Sequence, residues 1–162
     1  MDLRWLHISD FHFRKGDTYD SDVVLRALIK SVGDYRAAGR CCDLIFATGD
    51  IAQGGKREEY EQATRFFDAL LEAAGLQRRH LFVVPGNHDV DRNQGVGLAR
   101  TLGSREEADQ YFAPDMPKPH LRQKLGAFTE WYQAYFAGIR RIPDFTTCGP
   151  VEFVQARGRC IG

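Results

Sequence analysis

Six residues with metal-ligating or acid–base side chains fall into three short clusters: Asp10 and His12 in "DFH", Asp50 in "GD", and Asn87, His88 and Asp89 in "GNHD". Asp10 and His12 are separated by one residue, so in extended backbone both side chains project toward one face. A hard carboxylate oxygen and an imidazole from one short segment suit a first-row divalent metal such as manganese, iron or zinc. Asp50 adds a carboxylate able to bridge two ions, and Asn87 adds an amide oxygen. Two ions bridged about 3.5–4 Å apart can clamp a phosphate and lower the pKa of a bound water, which then attacks phosphorus. His88 is suited to donate a hydrogen bond to a phosphoryl oxygen or a proton to the leaving group, with Asp89 holding its tautomer. Taken singly, each cluster also reads as an ordinary turn: Asn87 can form an Asx turn and Asp89 can cap the next one. Their combination, with Gly49 and Gly86 admitting close backbone approach, reads as a single site.

Such a site needs elements that deliver all three clusters to one rim. "LRWLHIS", from about Leu3 to Ser9, reads as a first strand rich in aromatic and β-branched residues. Val24, Leu28, Val32 and Tyr35 have helical spacing from Asp20 or Ser21 onward, with Gly39 as the stop. "CDLIFAT" is a second strand with almost no alternation, which predicts helices on both of its faces. A second helix spans Arg57 to Ala74 through Tyr60, Ala63, Phe67, Leu70 and Leu71, with Gly75 as its C-cap. "HLFVV" is a third buried strand, ended by Pro85 and Gly86. This alternation with short links is that of a parallel α/β sheet, in which ligand sites gather at the carboxyl ends of strands. All three clusters lie there.

The character changes after Asp91. "RNQGVGLARTLG" reads as a loop, Ser104 with Glu107 as a capping box for a short helix through Phe112, and "APDMPKPH" as a proline-broken link. Leu121, Leu125, Phe128, Tyr132 and Tyr135 then mark one helix with an aromatic face. The tail offers at most one strand, "VEFVQ". The organisation expected is one domain over residues 1–162, with the motifs confined to residues 1–92, a helical region over residues 104–140 and a less defined tail over residues 141–162.

The 162 residues suffice for a core that buries about two thirds of the chain's surface. Hydrophobic residues make up 43% and charged residues 27%, the balance of a globular protein. Twenty-two basic residues match twenty-two acidic ones, so nothing in the overall charge draws the chain to nucleic acid or a membrane surface, although a local phosphate site needs few charges. Cys41, Cys42, Cys148 and Cys160 lack zinc-site spacing and read as reduced thiols. With no signal-like start and no run of eighteen apolar residues, the expected location is the cytoplasm.

Other tempting residues read as structural. His7 lies within the first strand, His80 at the start of the third and away from the site, and His120 before the last helix. Arg14, Lys15, Lys56, Arg57 and Arg92 follow the clusters and can meet substrate phosphates, but solvated surface is the simpler reading. The line Phe128, Trp131, Tyr132, Tyr135 and Phe136 reads as core or partner-facing rather than a base-stacking platform.

With "DFH", "GD" and "GNHD" in this order, each after a strand, residues 4–92 resemble the calcineurin-like metallophosphoesterase superfamily. The resemblance implies an α/β/β/α sandwich and hydrolysis of phosphomonoesters or phosphodiesters, including cyclic nucleotides and nucleic acids. It implies that Asp10 and His12 bind a first metal, Asp50 bridges, Asn87 binds a second, and His88 is catalytic with support from Asp89. It also implies two divalent ions, manganese, iron or zinc, in the complete site, with one or none expected in this chain. Members of the family supply further histidines after the third strand, whereas this chain has only His120 beyond His88. The expectation is therefore a sandwich incomplete on its C-terminal side, as in a fragment, a truncated product or a site completed by a further domain or partner chain.

Three function classes compete. The first is metal-dependent hydrolysis of a phosphoester, a phosphodiester or cyclic nucleotide before a monoester, with a small phosphoester or nucleotide as partner. The second is a degenerate metal- or nucleotide-binding regulatory module of a larger protein, which predicts tight phosphate or nucleotide binding without turnover. The third is a structural interaction domain, whose partner binding would survive metal removal.

Overall fold

The computed structural model describes residues 3–16, 23–94, 96, 101–111, 113, 119–141, 154–156 and 159–161. Asp20, Ser21 and Cys148, and the side chains of His120 and Cys160, lie outside this description. Three strands, β1 (Trp5–Ile8), β2 (Leu44–Thr48) and β3 (Leu81–Val84), form a parallel sheet in the order β1-β2-β3. Helix α1 (Val23–Ala37) links the first pair and α2 (Arg57–Ala74) the second. Both crossovers step the same way along the sheet, and right-handed connections then bring both helices to the same face.

That face is the core. Leu6 and Ile8 of β1, Ile45 and Ala47 of β2, and Leu81 and Val83 of β3 turn toward Tyr60, Ala63, Phe66, Phe67, Leu70 and Leu71 of α2, and toward Leu25, Leu28, Ile29 and Val32 of α1. Phe66, Phe67 and Leu70 have no exposed surface, and burying a side chain of this size is worth about 1.5–3 kcal/mol. Glu59 secures the start of α2 by accepting hydrogen bonds from the backbone N–H groups of Lys56 and Gly54, at 2.9 and 3.1 Å. Gly75 ends the helix in left-handed backbone, φ 70°, as the sequence predicts.

The opposite face departs from expectation. The apolar run of β2 predicts helices on both sides, yet the other side carries exposed Trp5 and Val84, at 59% and 50%, exposed His7 and Thr48, and half-buried Phe46 and Phe82. Phe46 and Phe82 lie opposite each other in the ladder with ring centroids 5.5 Å apart, and the Arg140 guanidinium stacks on Phe82 at 4.4 Å. An unalternating run reports that both sets of side chains are apolar, not what packs on each.

Beyond the sheet, α3 (Arg105–Tyr111) starts as predicted, with Ser104 Oγ accepting from Glu107 N–H at 3.2 Å. The expected last helix is two segments, α4 (Pro119–Lys124) and α5 (Gly126–Tyr135). Gly126, a weak helix former, sits at the joint, while Leu125 N–H still donates to Leu121 O and Thr129 N–H to Leu125 O. The aromatic face of α5 is core: Phe128, Tyr132, Tyr135 and the following Phe136 are buried. The tail exceeds its expected single strand, since β4 (Val154–Ala156) pairs antiparallel with β5 (Arg159–Ile161). The result is a mixed α/β architecture with a helix-flanked parallel sheet, consistent with a metallophosphoesterase-like sandwich. Among the described residues no helix is long and apolar enough to cross a membrane.

Candidate metal centre

The segments leaving the three strands continue the sheet's pairing without its regular backbone. Asp10 N–H donates to Gly49 O at 3.3 Å, His12 N–H to Asp50 O at 2.9 Å, Phe13 N–H to Ile51 O at 2.9 Å, and Gly49 N–H to Val84 O at 3.0 Å. Along this ladder Asp10, His12 and Asp50 adopt φ of 62°, 51° and 51°, and they are the non-glycine residues with positive φ among those described. Left-handed backbone is unfavourable for residues with a Cβ and tends to persist where the surroundings enforce it for function. Asp10 and His12 therefore do not share a face through extended backbone, as their spacing suggests. Instead they are turned by two left-handed residues that flank Phe11, whose ring packs on Phe13, Phe66 and Phe67.

One donor atom each from His12, Asp50 and His88 lies within 4.8 Å of the others. His12 Nε2 faces Asp10 Oδ1 at 3.9 Å and Asp50 Oδ2 at 4.0 Å, too far for a hydrogen bond and close enough to surround a cation. His12 Nδ1 is buried with no hydrogen-bond partner among the described residues. The His12 and His88 rings meet edge to face at 4.7 Å. The His12 imidazole and the Asp50 carboxylate, with the His88 imidazole within reach, suit a first-row divalent metal ion. Asp10 stands at the rim with its side chain 66% exposed, and Asn87 is exposed on the turn after β3. The cluster thus joins three of the six residues read from the sequence, with Asp10 beside it. It includes His88, which the sequence assigns to catalysis rather than to ligation.

Close backbone contact sets the spacing. Gly86 lies against Asp50, and a Cβ there would fall 2.2 Å from Asp50 Oδ1 and 2.4 Å from Asp50 N. This approach lets His88 N–H donate to Asp50 Oδ1 at 3.0 Å, which ties the third cluster to the second. Gly49, at φ 86°, would place a Cβ 3.3 Å from Gly86 Cα.

Asp89 does not hold the His88 tautomer. Its carboxylate is fully buried and accepts from Ile51 N–H at 3.1 Å, Ala52 N–H at 2.8 Å, Gly86 N–H at 2.8 Å and the Tyr60 hydroxyl at 3.0 Å. Burial pushes the Asp89 carboxyl above the usual range, opposed by these donors. Burial and the neighbouring Asp89 push the Tyr60 hydroxyl up, so it remains a donor. The His88 ring is held by Gln53: with Nδ1 protonated it donates to Gln53 O at 2.9 Å, and the Gln53 amide nitrogen lies 3.3 Å from the same atom. Nε2 is then the ring's free nitrogen. Neither Gln53 nor Tyr60 stands out in the sequence. Gln53 acts through a main-chain carbonyl, and Tyr60 satisfies a helical core pattern.

Three of the five basic residues near the clusters have acidic partners. Lys15 pairs with Glu58 at 3.6 Å, Lys56 with Asp91 at 2.5 Å, and Arg57 with Glu130. His7 is hydrogen-bonded within the sheet, Nε2 to Thr48 Oγ1 at 2.6 Å, and His80 forms part of a 3-10 turn (Arg78–His80) at the other end of β3, as its position implies.

Compared with known protein families, residues 3–149 match the calcineurin-like phosphoesterases. The chain belongs to this family. It is also 32% identical over 102 residues to a Bacillus subtilis (strain 168) protein named "Uncharacterized metallophosphoesterase-like protein YydB", an alignment covering 63% of this chain and 20% of that protein. The chain thus spans about a fifth of that relative's length. Family membership and the His12, Asp50 and His88 cluster together support a general metal-binding hydrolase fold.

Proposed function

We propose that this calcineurin-like phosphoesterase chain carries the metal-binding centre of a hydrolase that cleaves phosphodiesters or cyclic nucleotides in preference to monoesters. The observation that carries the reading is the convergence of His12, Asp50 and His88 donors within 4.8 Å at the carboxyl ends of parallel strands. Asp10, His12, Asp50 and Asn87 would hold up to two divalent ions, manganese, iron or zinc, with His88 beside them. A bound divalent ion supplies positive charge for the phosphoryl oxygens and lowers the pKa of water.

The chain's own residues supply orientation and proton control. Asp50 is fixed by His88 N–H on one oxygen while the other faces His12. His88 is aimed by Gln53 O, so that its free Nε2 is the atom available to the reacting ester. In hydrolysis the oxygen of water bonds to phosphorus, the ester P–O bond breaks, and the leaving oxygen takes a proton. One proton of the water stays on the product phosphate; imidazolium His88, with Nδ1–H kept on Gln53 O, can give the leaving oxygen its proton from Nε2 and recover the water's other proton.

The test is hydrolysis of bis-p-nitrophenyl phosphate and p-nitrophenyl phosphate with added manganese, by the chain and by His88→Ala with its metal content measured. Diester turnover that falls by a factor of about 100 or more in the variant is expected, in line with the range for acid–base catalysis. Unchanged turnover at retained metal content would remove His88 from the chemistry. Metal or nucleotide binding without turnover would favour a regulatory module.

A further inference from the structure

Asp89 is a fully buried carboxylate with no cation against it among the described residues, and its four donors there come from three separate pieces of chain. Ile51 and Ala52 N–H belong to the loop after β2, which carries Asp50. Gly86 N–H belongs to the turn after β3, which carries His88. The fourth donor, Tyr60, comes from the first turns of α2 and lies outside every sequence cluster. Its hydroxyl meets the same oxygen, Oδ1, as Ala52 N–H. Asp89 therefore fastens the Asp50 loop to the His88 turn, and Tyr60 fastens Asp89 to the helical layer.

The ring that carries this hydroxyl has little freedom. Tyr60 is 1% exposed, stacks on Trp131 at 5.3 Å and meets Phe128 edge-on at 5.9 Å. Trp131 Nε1–H donates to Thr64 Oγ1, and that hydroxyl donates to Tyr60 O one helical turn back. Helix α5 thus fixes the orientation of Tyr60, and Tyr60 in turn fixes the height of Asp89 above the sheet.

We infer that Tyr60 is a positioning residue of the metal centre, its hydroxyl setting through Asp89 the spacing between the loop that carries Asp50 and the turn that carries His88. This rests on the metal-binding reading above only for its effect on affinity. The effect on the two loops stands on the hydrogen bonds alone.

The experiment compares Tyr60→Phe with Tyr135→Phe. Tyr135 is also buried and also donates to an aspartate, Asp68 Oδ1 at 2.7 Å, but at the opposite end of the sheet, so its variant loses a matched bond away from the site. Three quantities are measured on each: manganese affinity by calorimetry, exchange of the Ile51, Ala52 and Gly86 amides by NMR without metal, and the metal-free thermal midpoint. Tyr60→Phe is expected to weaken manganese binding by roughly 10-fold or more, as loss of a group supporting metal ligands does, and to speed exchange of the three amides. Tyr135→Phe is expected to lower the thermal midpoint at least as much while leaving affinity and those amides alone.

Equal effects of the two variants on the amides, or unchanged amides in Tyr60→Phe, would make Tyr60 an ordinary core residue and overturn the inference. If the unaltered chain takes up no manganese, the metal reading fails separately, and the amide comparison still decides the role of Tyr60.

Discussion

The two ends of the sheet treat polar groups in opposite ways. At the amino end of β3, Arg78 forms two hydrogen bonds to Asp68, at 3.0 and 2.7 Å, donates to Tyr135 O at 3.2 Å and lies 4.1 Å above the Tyr135 ring, while the Tyr135 hydroxyl completes Asp68. The hydrogen bonds from Arg78 to Asp68 raise the Arg78 pKa further, and each group in the network has a hydrogen-bond partner. At the carboxyl ends, donor atoms of His12, Asp50 and His88 converge with no side-chain-to-side-chain hydrogen bond among them, and His12 and Asp50 sit on backbone held at positive φ. A satisfied network joins α2, the 3-10 turn and α5. The other, with His12 Nδ1 unsatisfied among the described residues and the fully bonded Asp89 beneath it, is where donor atoms able to hold a metal converge.

The change expected to act most strongly on the unsatisfied end is Gly86→Ala. A methyl group 2.2 Å from Asp50 Oδ1 must push the third cluster away from the second. It should destabilise the fold by about 1–3 kcal/mol, as overpacking does, and abolish manganese binding. Normal affinity in this variant would mean that the spacing of the two loops does not matter.

A smaller effect, confined to the other end, is expected for Arg78→Ala. Both partners of this ion pair are about two fifths exposed, which discounts the charge contribution, so a loss of about 1 kcal/mol in denaturant unfolding is expected with manganese affinity unchanged. A change in affinity would show the two ends to be coupled.

The smallest effect is a pH dependence between them. Burial tends to raise the Asp91 carboxyl, but Lys56, the Asn93 N–H and Gln94 outweigh it and hold the carboxyl below its usual value. A carboxyl depressed in the folded state stabilises the fold above the ordinary carboxylate range, and this contribution is lost as pH falls through the depressed value. The thermal midpoint should therefore drop between about pH 5 and pH 3, with a smaller drop in Lys56→Met. An identical drop in the variant would remove Lys56 as the cause.

Much of the satisfied architecture is legible in the sequence, because apolar spacing and glycine stops report directly on burial. Helix α2 and the order of the three strands follow from Tyr60 through Leu71 and from three apolar runs. The break at Leu125 and Gly126 is hidden by an aromatic pattern that continues across it. That Val84 and Trp5 are exposed on the sheet's other face is hidden because such residues are apolar whether or not anything covers them. At the site, residue types identify the ligand candidates, but not which of them meet. Adjacency in sequence suggests Asp89 as the partner of His88, whereas the chain folds so that a carbonyl from Gln53 reaches the ring. Backbone carbonyls and positive φ at aspartate or histidine leave no mark in composition or period.

The most direct test of the central claim is a calorimetric titration of the chain with manganese under reducing conditions, beside the same titration of Asp50→Asn. At least one ion per chain is expected, and none in the variant, because Asp50 is the carboxylate that lies within reach of both the His12 and the His88 donors. Absence of binding by the unaltered chain, or equal binding by both, would contradict it.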